Sequence, residues 1–256
     1  MNKKLTFLIC LLAIFELKLS AQEETHWGIF FGGSVNMMNI DKSFYYDDSE
    51  VDTRKLIGID TTYIVSYMPV NGASVKPNGG FVIGGFFEYK ASEMVGLHFE
   101  LLYNQYGYKL TGTVDKYNIG DENFVTYDYS SNLKMSNFSA ALLVKIHALD
   151  FLSVDLGVQP SYCFRMIKES KRGIENRSTN YDSKNDYNPL NFSATGGLTG
   201  YWGDVFISAR YTLGFTDVLK VKHPYHLNDN NEIKYNYSDA KSTTSSVQLT
   251  VGYRIK

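Results

Sequence analysis

Eight ionisable residues alternate with apolar neighbours inside otherwise hydrophobic segments, and they are the residues of this chain best suited to chemistry. Three are carboxylates, four are cations, and one is a histidine two positions before a carboxylate. The set comprises Glu88, His98, Glu100, Lys145, Asp155, Arg165, Arg210 and Arg254. Side chains two positions apart on a β-strand point to the same face. All eight are therefore expected on one polar face, where opposite charges can pair.

Catalysis by this set is not predicted. His98 shares its face with Gly96 and Glu100, so no serine or cysteine nucleophile stands beside it. His223 and His226, and the carboxylates within residues 47–52, are of the residue types that bind metals. Short spacings of this kind arise often by chance. We therefore predict no catalytic residue, no cofactor and no metal site.

The elements that hold these residues are eight segments in which apolar and polar residues alternate, as in β-strands. They are residues 26–38, 81–90, 94–109, 134–147, 152–167, 190–202, 205–216 and 245–256. Three connections are short (91–93, 148–151 and 203–204) and four are long (39–80, 110–133, 168–189 and 217–244). Short turns on one rim and long loops on the other are typical of outer-membrane barrels. The prediction is an all-β, eight-stranded antiparallel up-and-down transmembrane barrel with four long extracellular loops and three short periplasmic turns, closed by pairing of the last strand with the first.

The two faces of these segments differ sharply. One carries no charged, amide or aliphatic hydroxyl side chain, whereas the other is polar and rich in glycine. A charge at mid-bilayer costs about 2–4 kcal/mol, so the apolar face suits contact with lipid. A soluble lipocalin-like carrier would instead turn its apolar face inward, but eight strands enclose little space and favour the small, polar face inside. Aromatic residues predicted at the membrane interfaces are Trp27, Tyr89, Tyr201, Trp202, Tyr211 and Tyr253.

Two interpretations of the ionisable set follow from this barrel. His98 could act as a titratable switch or as part of a gated ion path, since histidine changes charge between about pH 5 and 8. Alternatively, the charges form a salt-bridged plug, because a buried charge needs a partner. The plug is favoured, because the lumen of eight strands is only just wide enough for side chains.

The N-terminus has the parts of a secretory signal peptide. Lys3 and Lys4 precede an apolar run over residues 5–15, and the small residues Ser20 and Ala21 follow. We predict cleavage after residue 21, leaving residues 22–256 as one barrel domain in the outer membrane of a Gram-negative bacterium. The formal net charge of the chain is −2, which argues against a nucleic-acid partner.

Several stretches resemble the PorT-like outer-membrane β-barrel proteins of Bacteroidetes. They are the Ser-Ala-Gln end of the signal, the glycine-rich first strand at 28–36, and residues 84–89, 97–106, 208–214 and 251–254. The resemblance extends over nearly all of the mature chain and consists of barrel patterns rather than catalytic motifs. It implies an outer-membrane barrel, and the type IX secretion role of one branch of that family is not transferred.

The long loops are the predicted functional surface, since binding residues are often placed on loops held by a rigid scaffold. They are rich in tyrosine, including Tyr108 and Tyr129 in the second loop. The predicted function is a non-catalytic anchor in outer-membrane lipid that presents these loops to an unidentified surface or envelope protein. An alternative for the loops is a rigid extension of the strands. Alternatives for the function are a narrow channel or transporter, a secretion-system accessory barrel, and a soluble lipocalin-like carrier.

Overall fold

The computed structural model describes residues 24–40, 46–51, 64–118, 123–173, 175–180, 187–219, 221–227, 233–238 and 242–255. No helix among these residues is long and apolar enough to cross a membrane. The described residues form the following strands: β1 (Glu24–Ile40), β2 (Tyr46–Val51), β3 (Ile64–Pro69), β4 (Asn71–Lys90), β5 (Val95–Asn118), β6 (Asn123–Leu149), β7 (Leu152–Arg172), β8 (Glu175–Asn180), β9 (Leu190–Trp202), β10 (Val205–Gly214), β11 (Val221–Leu227), β12 (Ile233–Ser238) and β13 (Ser242–Ile255).

Eight of these strands pair edge to edge in a closed antiparallel ring. Their order around the ring is β1, β4, β5, β6, β7, β9, β10 and β13. The last strand closes on the first, with Val247 opposite Val35. Closure leaves no open sheet edge along the barrel wall. The predicted eight-stranded up-and-down barrel, and its closure by the terminal strand, are confirmed.

The strands are staggered around the ring. Asn104 of β5 can be followed from one paired residue to the next through β4, β1, β13, β10, β9, β7 and β6. The path returns at Met94, directly before β5 and ten residues from its start. Such a stagger requires the strands to tilt against the barrel axis, and it leaves eight strands with a lumen that side chains can fill. Residues on opposite walls can therefore meet across the interior.

Three tight turns join β4 to β5, β6 to β7 and β9 to β10, at the positions that the sequence predicts. In the last of them Gly203 has a φ of +61°, a left-handed conformation that glycine adopts without steric cost. The outer ends of β1 and β13 lie at the same rim, because Glu24 pairs with Lys90 and Trp27 pairs with Ile255. We call this rim the short-turn end.

At the opposite rim, the long-connection end, the strands run further than predicted. β5 continues to Asn118 and β6 starts at Asn123, so most of the predicted loop 110–133 is a β-hairpin. β4 starts at Asn71, and β7 reaches Arg172 with β8 paired along its edge. The separate hairpins β2–β3 and β11–β12 fall within the predicted loops 39–80 and 217–244. Residues 110–118 and 123–133 are therefore extensions of the strands and not an irregular loop.

The apolar row predicted to contact lipid does lie on the outside of the ring. Its large side chains are exposed, for example Phe31, Leu101 and Leu249. The polar row points inward and is buried. This arrangement overturns the lipocalin-like alternative, which requires the apolar row to line the interior.

Inward glycines make room for aromatic rings in the narrow lumen. A Cβ atom at Gly252 would collide with the ring of Phe206, and one at Gly28 would meet the ring of Phe86. Phe206 and Phe86 themselves pack edge to face, with ring centroids 5.4 Å apart. The interior near the short-turn end is therefore filled by large rings set against glycine backbone.

A second buried apolar cluster occupies the interior toward the long-connection end. Tyr108 and Tyr129, which the sequence analysis counted with the second long loop, are both buried in it. Tyr129 faces inward because β6 extends through that loop, and Tyr108 continues the inward row of β5. The cluster contains Met38, Val70, Tyr108, Leu110, Val114, Tyr129, Leu133, Met135, Cys163, Met166, Tyr187 and Val218. We call it the outer apolar cluster.

Candidate functional site

The ionisable residues singled out in the sequence come together largely in one place inside the barrel. Six of them occupy inward positions on five strands of the ring, where the alternation of each strand directs them into the lumen. We call these six the lumenal cluster: Glu88 on β4, His98 and Glu100 on β5, Lys145 on β6, Asp155 on β7 and Arg210 on β10.

His98 is bound on both sides by carboxylates. Its Nδ1 lies 3.0 Å from Glu88 Oε2, and its Nε2 lies 2.8 Å from Glu100 Oε1. Glu88 is directly opposite His98 on the neighbouring strand, and Glu100 is two residues further along the same strand. The ring also stacks on Phe86, with centroids 4.9 Å apart. Both nitrogens are thus engaged and the ring is fixed in orientation.

Two basic side chains complete the ion pairs. Lys145 Nζ lies 3.2 Å from Glu88 Oε2 and donates a hydrogen bond to the Tyr201 hydroxyl at 2.8 Å. Arg210 reaches across the lumen from β10, donating from Nη1 to Glu100 Oε2 at 2.6 Å. Its Nη2 lies 3.5 Å from Asp155 Oδ2. Arg210 therefore joins walls of the barrel that are not neighbours in the ring.

Asp155 accepts hydrogen bonds from hydroxyl groups on two adjacent strands. Thr199 Oγ1 donates to Asp155 Oδ2 at 2.6 Å, and Ser153 Oγ donates to Oδ1 at 3.1 Å. Thr199 Oγ1 in turn accepts a hydrogen bond from Ser208 Oγ at 3.0 Å, since its own hydrogen is given to Asp155. These hydrogen bonds satisfy the Asp155 carboxylate, which is fully buried. Without such partners, burying a carboxylate carries a large desolvation cost.

The cluster is enclosed and internally paired. Both ring nitrogens of His98 lie within hydrogen-bond distance of a carboxylate, and Lys145 and Arg210 pair with the same two carboxylates. Glu88, His98 and Glu100 are only 1%, 1% and 2% exposed. Because both nitrogens of His98 are occupied by carboxylates, this histidine has no hydroxyl or thiol partner to activate. The ion pairs tie together strands of the ring that are distant in sequence.

Arg165 and Arg254 do not join the cluster, although the sequence grouped them with it. Arg165 is exposed, because the pairing of β6 with β7 shifts register between Ser136 and Asn137, which reverses the strand's alternation there. Arg254 lies at the short-turn end, where its guanidinium stacks over the Tyr201 ring at 4.6 Å and donates to the Gly203 carbonyl. Neither cation pairs with a cluster carboxylate among the described contacts.

Tyr201 also corrects a prediction, because it is buried inside the barrel rather than placed at a membrane interface. Its position on β9 has the inward parity of Thr199, a sequence signal that could have identified it. His147, at the rim, contacts the cluster as well, with Nε2 3.6 Å from Glu88 Oε1. The hydroxyl partners Ser153 and Thr199 carry no comparable signal, since serine and threonine recur throughout the inward row.

Between the lumenal cluster and the outer apolar cluster, the described interior mixes uncharged polar side chains with the buried apolar residues Phe30, Val82 and Leu102. The Tyr106 hydroxyl accepts hydrogen bonds from Asn104 Nδ2 at 2.7 Å and from Gln159 Nε2 at 3.1 Å. A small cavity lies alongside, lined by hydroxyl and amide groups that include Tyr106, Asn137, Ser161, Ser193, Thr212 and Ser246. From the short-turn end outward, the described interior therefore contains ion pairs packed among aromatic rings, then mixed polar and apolar side chains, and finally the outer apolar cluster.

Aromatic side chains ring the outside near the short-turn end. Trp27, Trp202 and Tyr253 are exposed there, and Tyr89 is half-buried. Tyr211 is exposed too but is paired with Val247 well up the barrel wall, so it does not belong to this rim.

A second group of outward aromatic rings, which the sequence did not single out, lies toward the long-connection end. Phe81 and Tyr103 have centroids 5.3 Å apart, Tyr103 and Phe138 are 5.9 Å apart, and Phe138 and Phe164 are 4.9 Å apart. We call these four the upper aromatic belt. Two aromatic zones flanking an apolar band are the usual mark of a barrel wall in a bilayer.

Several sequence hypotheses fall outside what the structure describes. They concern the signal peptide at residues 1–21, the side chains of residues 47–52, and the side chains of His223 and His226. Most of the tyrosine side chains in the first and last long connections also fall outside what the structure describes. Within the described residues, no group of three or more His, Cys, Asp or Glu side chains is arranged to hold a metal ion.

Comparison with solved structures gives distant similarities to outer-membrane proteins. Ail, the attachment invasion locus protein of Yersinia pestis, is 11% identical with a TM-score of 0.40, over 91% of this chain and 99% of that one. Neisserial surface protein A is 10% identical with a TM-score of 0.42, over 91% and 100%. The outer membrane protease OmpT of Escherichia coli is 8% identical with a TM-score of 0.40, over 92% and 98%. Similarities this weak say nothing about what the present chain does.

Sequence comparison is more decisive about the family. No curated protein matches the chain. Residues 20–220, which include seven of the eight ring strands, match the family described as an outer membrane protein beta-barrel domain. That match agrees with the closed ring, the outward apolar row and the polar lumen, and the chain belongs to the outer membrane β-barrel domain family.

Proposed function

We propose that this protein is a non-catalytic outer-membrane anchor that presents its long-connection end to a surface or envelope protein. The observation that carries the proposal is the continuation of β5 and β6 beyond the upper aromatic belt. Leu110 and Val114 are buried in this extension, so it is a packed structure outside the apolar band rather than a loose connection. A rigid platform of this kind holds neighbouring loops in place for binding.

Export by a signal peptide at residues 1–21 and an outward-facing long-connection end belong to the same proposal. The long connections are on the rim that outer-membrane barrels usually expose at the cell surface. Within the family, we place the chain with the PorT-like barrels of Bacteroidetes, on the strength of its terminal strand and its glycine-rich first strand. No role in type IX secretion is included.

A narrow channel is the second candidate, and the small cavity beside Tyr106 is the observation that favours it. Opening it would require the ion pairs of Arg210 and the outer apolar cluster to separate together. Purified protein in planar bilayers is expected to show no stepwise conductance. Reproducible single-channel steps, absent from a preparation of heat-denatured protein, would favour the channel over the sealed anchor.

Cysteine labelling in intact cells tests the orientation that the anchor requires. The exposed residues Asp115, near the tip of the β5–β6 hairpin, and Glu93, in a short turn, offer a matched pair of sites. With Asp115→Cys, a membrane-impermeant maleimide should label intact cells. With Glu93→Cys, it should label only permeabilised cells. The reverse pattern would show that the short turns face outward and would overturn the proposal.

Partner presentation is tested by removing one hairpin at a time. Replacing residues 46–69 with a short Gly-Ser linker removes β2–β3, and replacing residues 221–238 removes β11–β12 as a matched control. A cross-linked partner lost with one hairpin and kept with the other would locate the binding surface. Identical cross-linked partners in the wild type and in both variants would contradict presentation by these hairpins.

A further inference from the structure

Four cations form a patch on the outside of β4 to β7, just beyond the upper aromatic belt. Lys76, Lys109 and Arg165 are exposed, and the side chain of Lys134 is 39% exposed. Arg165 directly follows Phe164 of the belt, and Lys134 is four residues beyond Phe138 on the neighbouring strand. We call these four residues the basic patch.

The patch contains a pairing that is unfavourable by itself. Lys76 and Lys109 stand directly opposite each other on adjacent strands. Like charges directly opposite on a sheet repel and destabilise the pairing. Of the four cations, only Lys134 is paired with a carboxylate of the described residues, Glu169 at 3.0 Å. An anion from outside the chain would relieve this repulsion.

The β-bulge between β6 and β7 adds to the patch. Regular alternation after Phe164 would direct Arg165 into the lumen, but the register shift at Ser136 and Asn137 places it outside. Bulges commonly re-aim a side chain in this way. The local distortion thus moves one cation from the interior to the membrane-facing surface.

Among the described strand residues, the patch lies on one side of the barrel. Residues 190–194 of β9, 211–214 of β10, 242–247 of β13 and 35–40 of β1 contain no charged residue. Among the described residues, this one-sided arrangement of cations favours an anionic ligand on the β4–β7 face.

We propose that the basic patch binds the phosphate groups of an anionic lipid in the membrane leaflet at the long-connection end. Its acyl chains would lie along the apolar wall below the belt, and its phosphates would lie level with the four cations. Basic residues placed just outside an aromatic zone are positioned to bind anionic head groups in this way. If the long-connection end faces the cell exterior, as proposed above, this is an outer-leaflet lipid.

Lipid retention by purified protein tests the proposal. Wild-type protein in neutral detergent would be mixed with bisphosphorylated lipid A, or with phosphatidylcholine as the neutral lipid, and bound lipid counted by native mass spectrometry. The test variant is Lys109→Gln with Arg165→Gln. The matched control, Lys90→Gln with Lys171→Gln, removes the same charge at the short-turn end and further out on β7. Lys109→Arg with Arg165→Lys keeps the charge.

Wild type, control and charge-keeping variants should retain lipid A but not phosphatidylcholine. The test variant should bind lipid A about 30-fold more weakly, since each basic residue contributes about a factor of five at a charged membrane surface. Equal affinity of test and control variants would overturn the proposal. So would displacement of lipid A by millimolar inorganic phosphate, which would indicate a site for the free anion. If the maleimide experiment showed the opposite orientation, the lipid would belong to the inner leaflet, and the expected difference in lipid A binding between the variants would be unchanged.

Discussion

At the scale of single residues, the most informative feature is that the lumenal charges satisfy one another. His98 is held by Glu88 and Glu100, and Arg210 connects Glu100 with Asp155. Buried ion pairs add little net stability over apolar packing, but removing one partner leaves an uncompensated buried charge. The cluster should therefore tolerate changes to its periphery and resist changes to its members.

Replacing Arg210 with alanine gives a direct test of this view. The change leaves Glu100 and Asp155 buried without their shared cation, and should lower the free energy of unfolding by about 3–5 kcal/mol. Urea titration of the folded barrel in neutral lipid vesicles, followed by the fluorescence of Trp27 and Trp202, would measure it.

Lys171 supplies the control for that measurement, because it is an exposed cation on β7. Its replacement by alanine should change stability by no more than about 0.5 kcal/mol. Arg210→Lys, which keeps a charge but loses the two-pronged contact, should fall between the two. Equal urea midpoints for Arg210→Ala and Lys171→Ala would contradict the assignment of Arg210 as the central tie of the lumen.

At the scale of elements, the strands that project beyond the upper aromatic belt distinguish this barrel from a minimal one. β5 and β6 remain paired from Gly107 opposite Lys134 up to Asn118 opposite Asn123. Their inward residues pack into the outer apolar cluster together with residues of β1 and β7. The extension thus caps the lumen and supports the surface that we propose as the binding platform.

Hydrogen exchange measures how firmly this extension is folded. Backbone amides of residues 108–114 are expected to exchange on the order of 100-fold more slowly than those of an unstructured peptide, because they are cross-strand bonded and partly buried. Peptides covering the turn at residues 150–151 serve as the fast-exchanging comparison within the same sample. Equal exchange in the two regions would mean that the extension is a mobile loop.

At the scale of the whole molecule, ring closure determines the properties of the barrel. Pairing of β1 with β13 removes the only edges that consecutive hairpins would leave open. The stagger of the ring then sets which inward residues face each other, and brings Arg210 of β10 to Glu100 of β5. Closure therefore creates both the lipid-facing wall and the ionic interior.

A disulfide across the closing strands tests the register as well as the closure. Val35→Cys with Val247→Cys places two thiols on directly opposite residues of β1 and β13, within the reach of a disulfide. Oxidation should convert most of the folded protein to a form with altered mobility on a non-reducing gel. Val35→Cys with Val251→Cys is the control, because Val251 is opposite Phe31 and too far from Val35 to cross-link. Cross-linking of the control alone would indicate a different register.

The sequence by itself was sufficient for the eight ring segments, for most of their faces and for closure of the ring. Alternation over residues 26–38 and 245–256 is a local property of each segment, since neighbouring side chains on a strand point to opposite faces wherever the strand is placed. For the same reason Glu88, His98, Glu100, Lys145, Asp155 and Arg210 could be assigned to the lumen before any contact was known. The burial of Tyr201 was also accessible from its parity, although its place near a turn suggested an interface.

Other features depended on the tertiary structure, because they arise from pairing between distant segments. The bulge that exposes Arg165 arises from the pairing register of β6 with β7, and no residue type in either strand predicts it. Residues 110–133 have the composition of a polar loop. They form strands because the two halves pair with each other and cover a buried apolar cluster. The contact between Glu100 and Arg210 likewise follows from strand order and stagger, which local alternation does not encode. The alternation of side chains between two faces is a local property of each strand. The register between strands depends on contacts between distant segments, which form only when the ring closes.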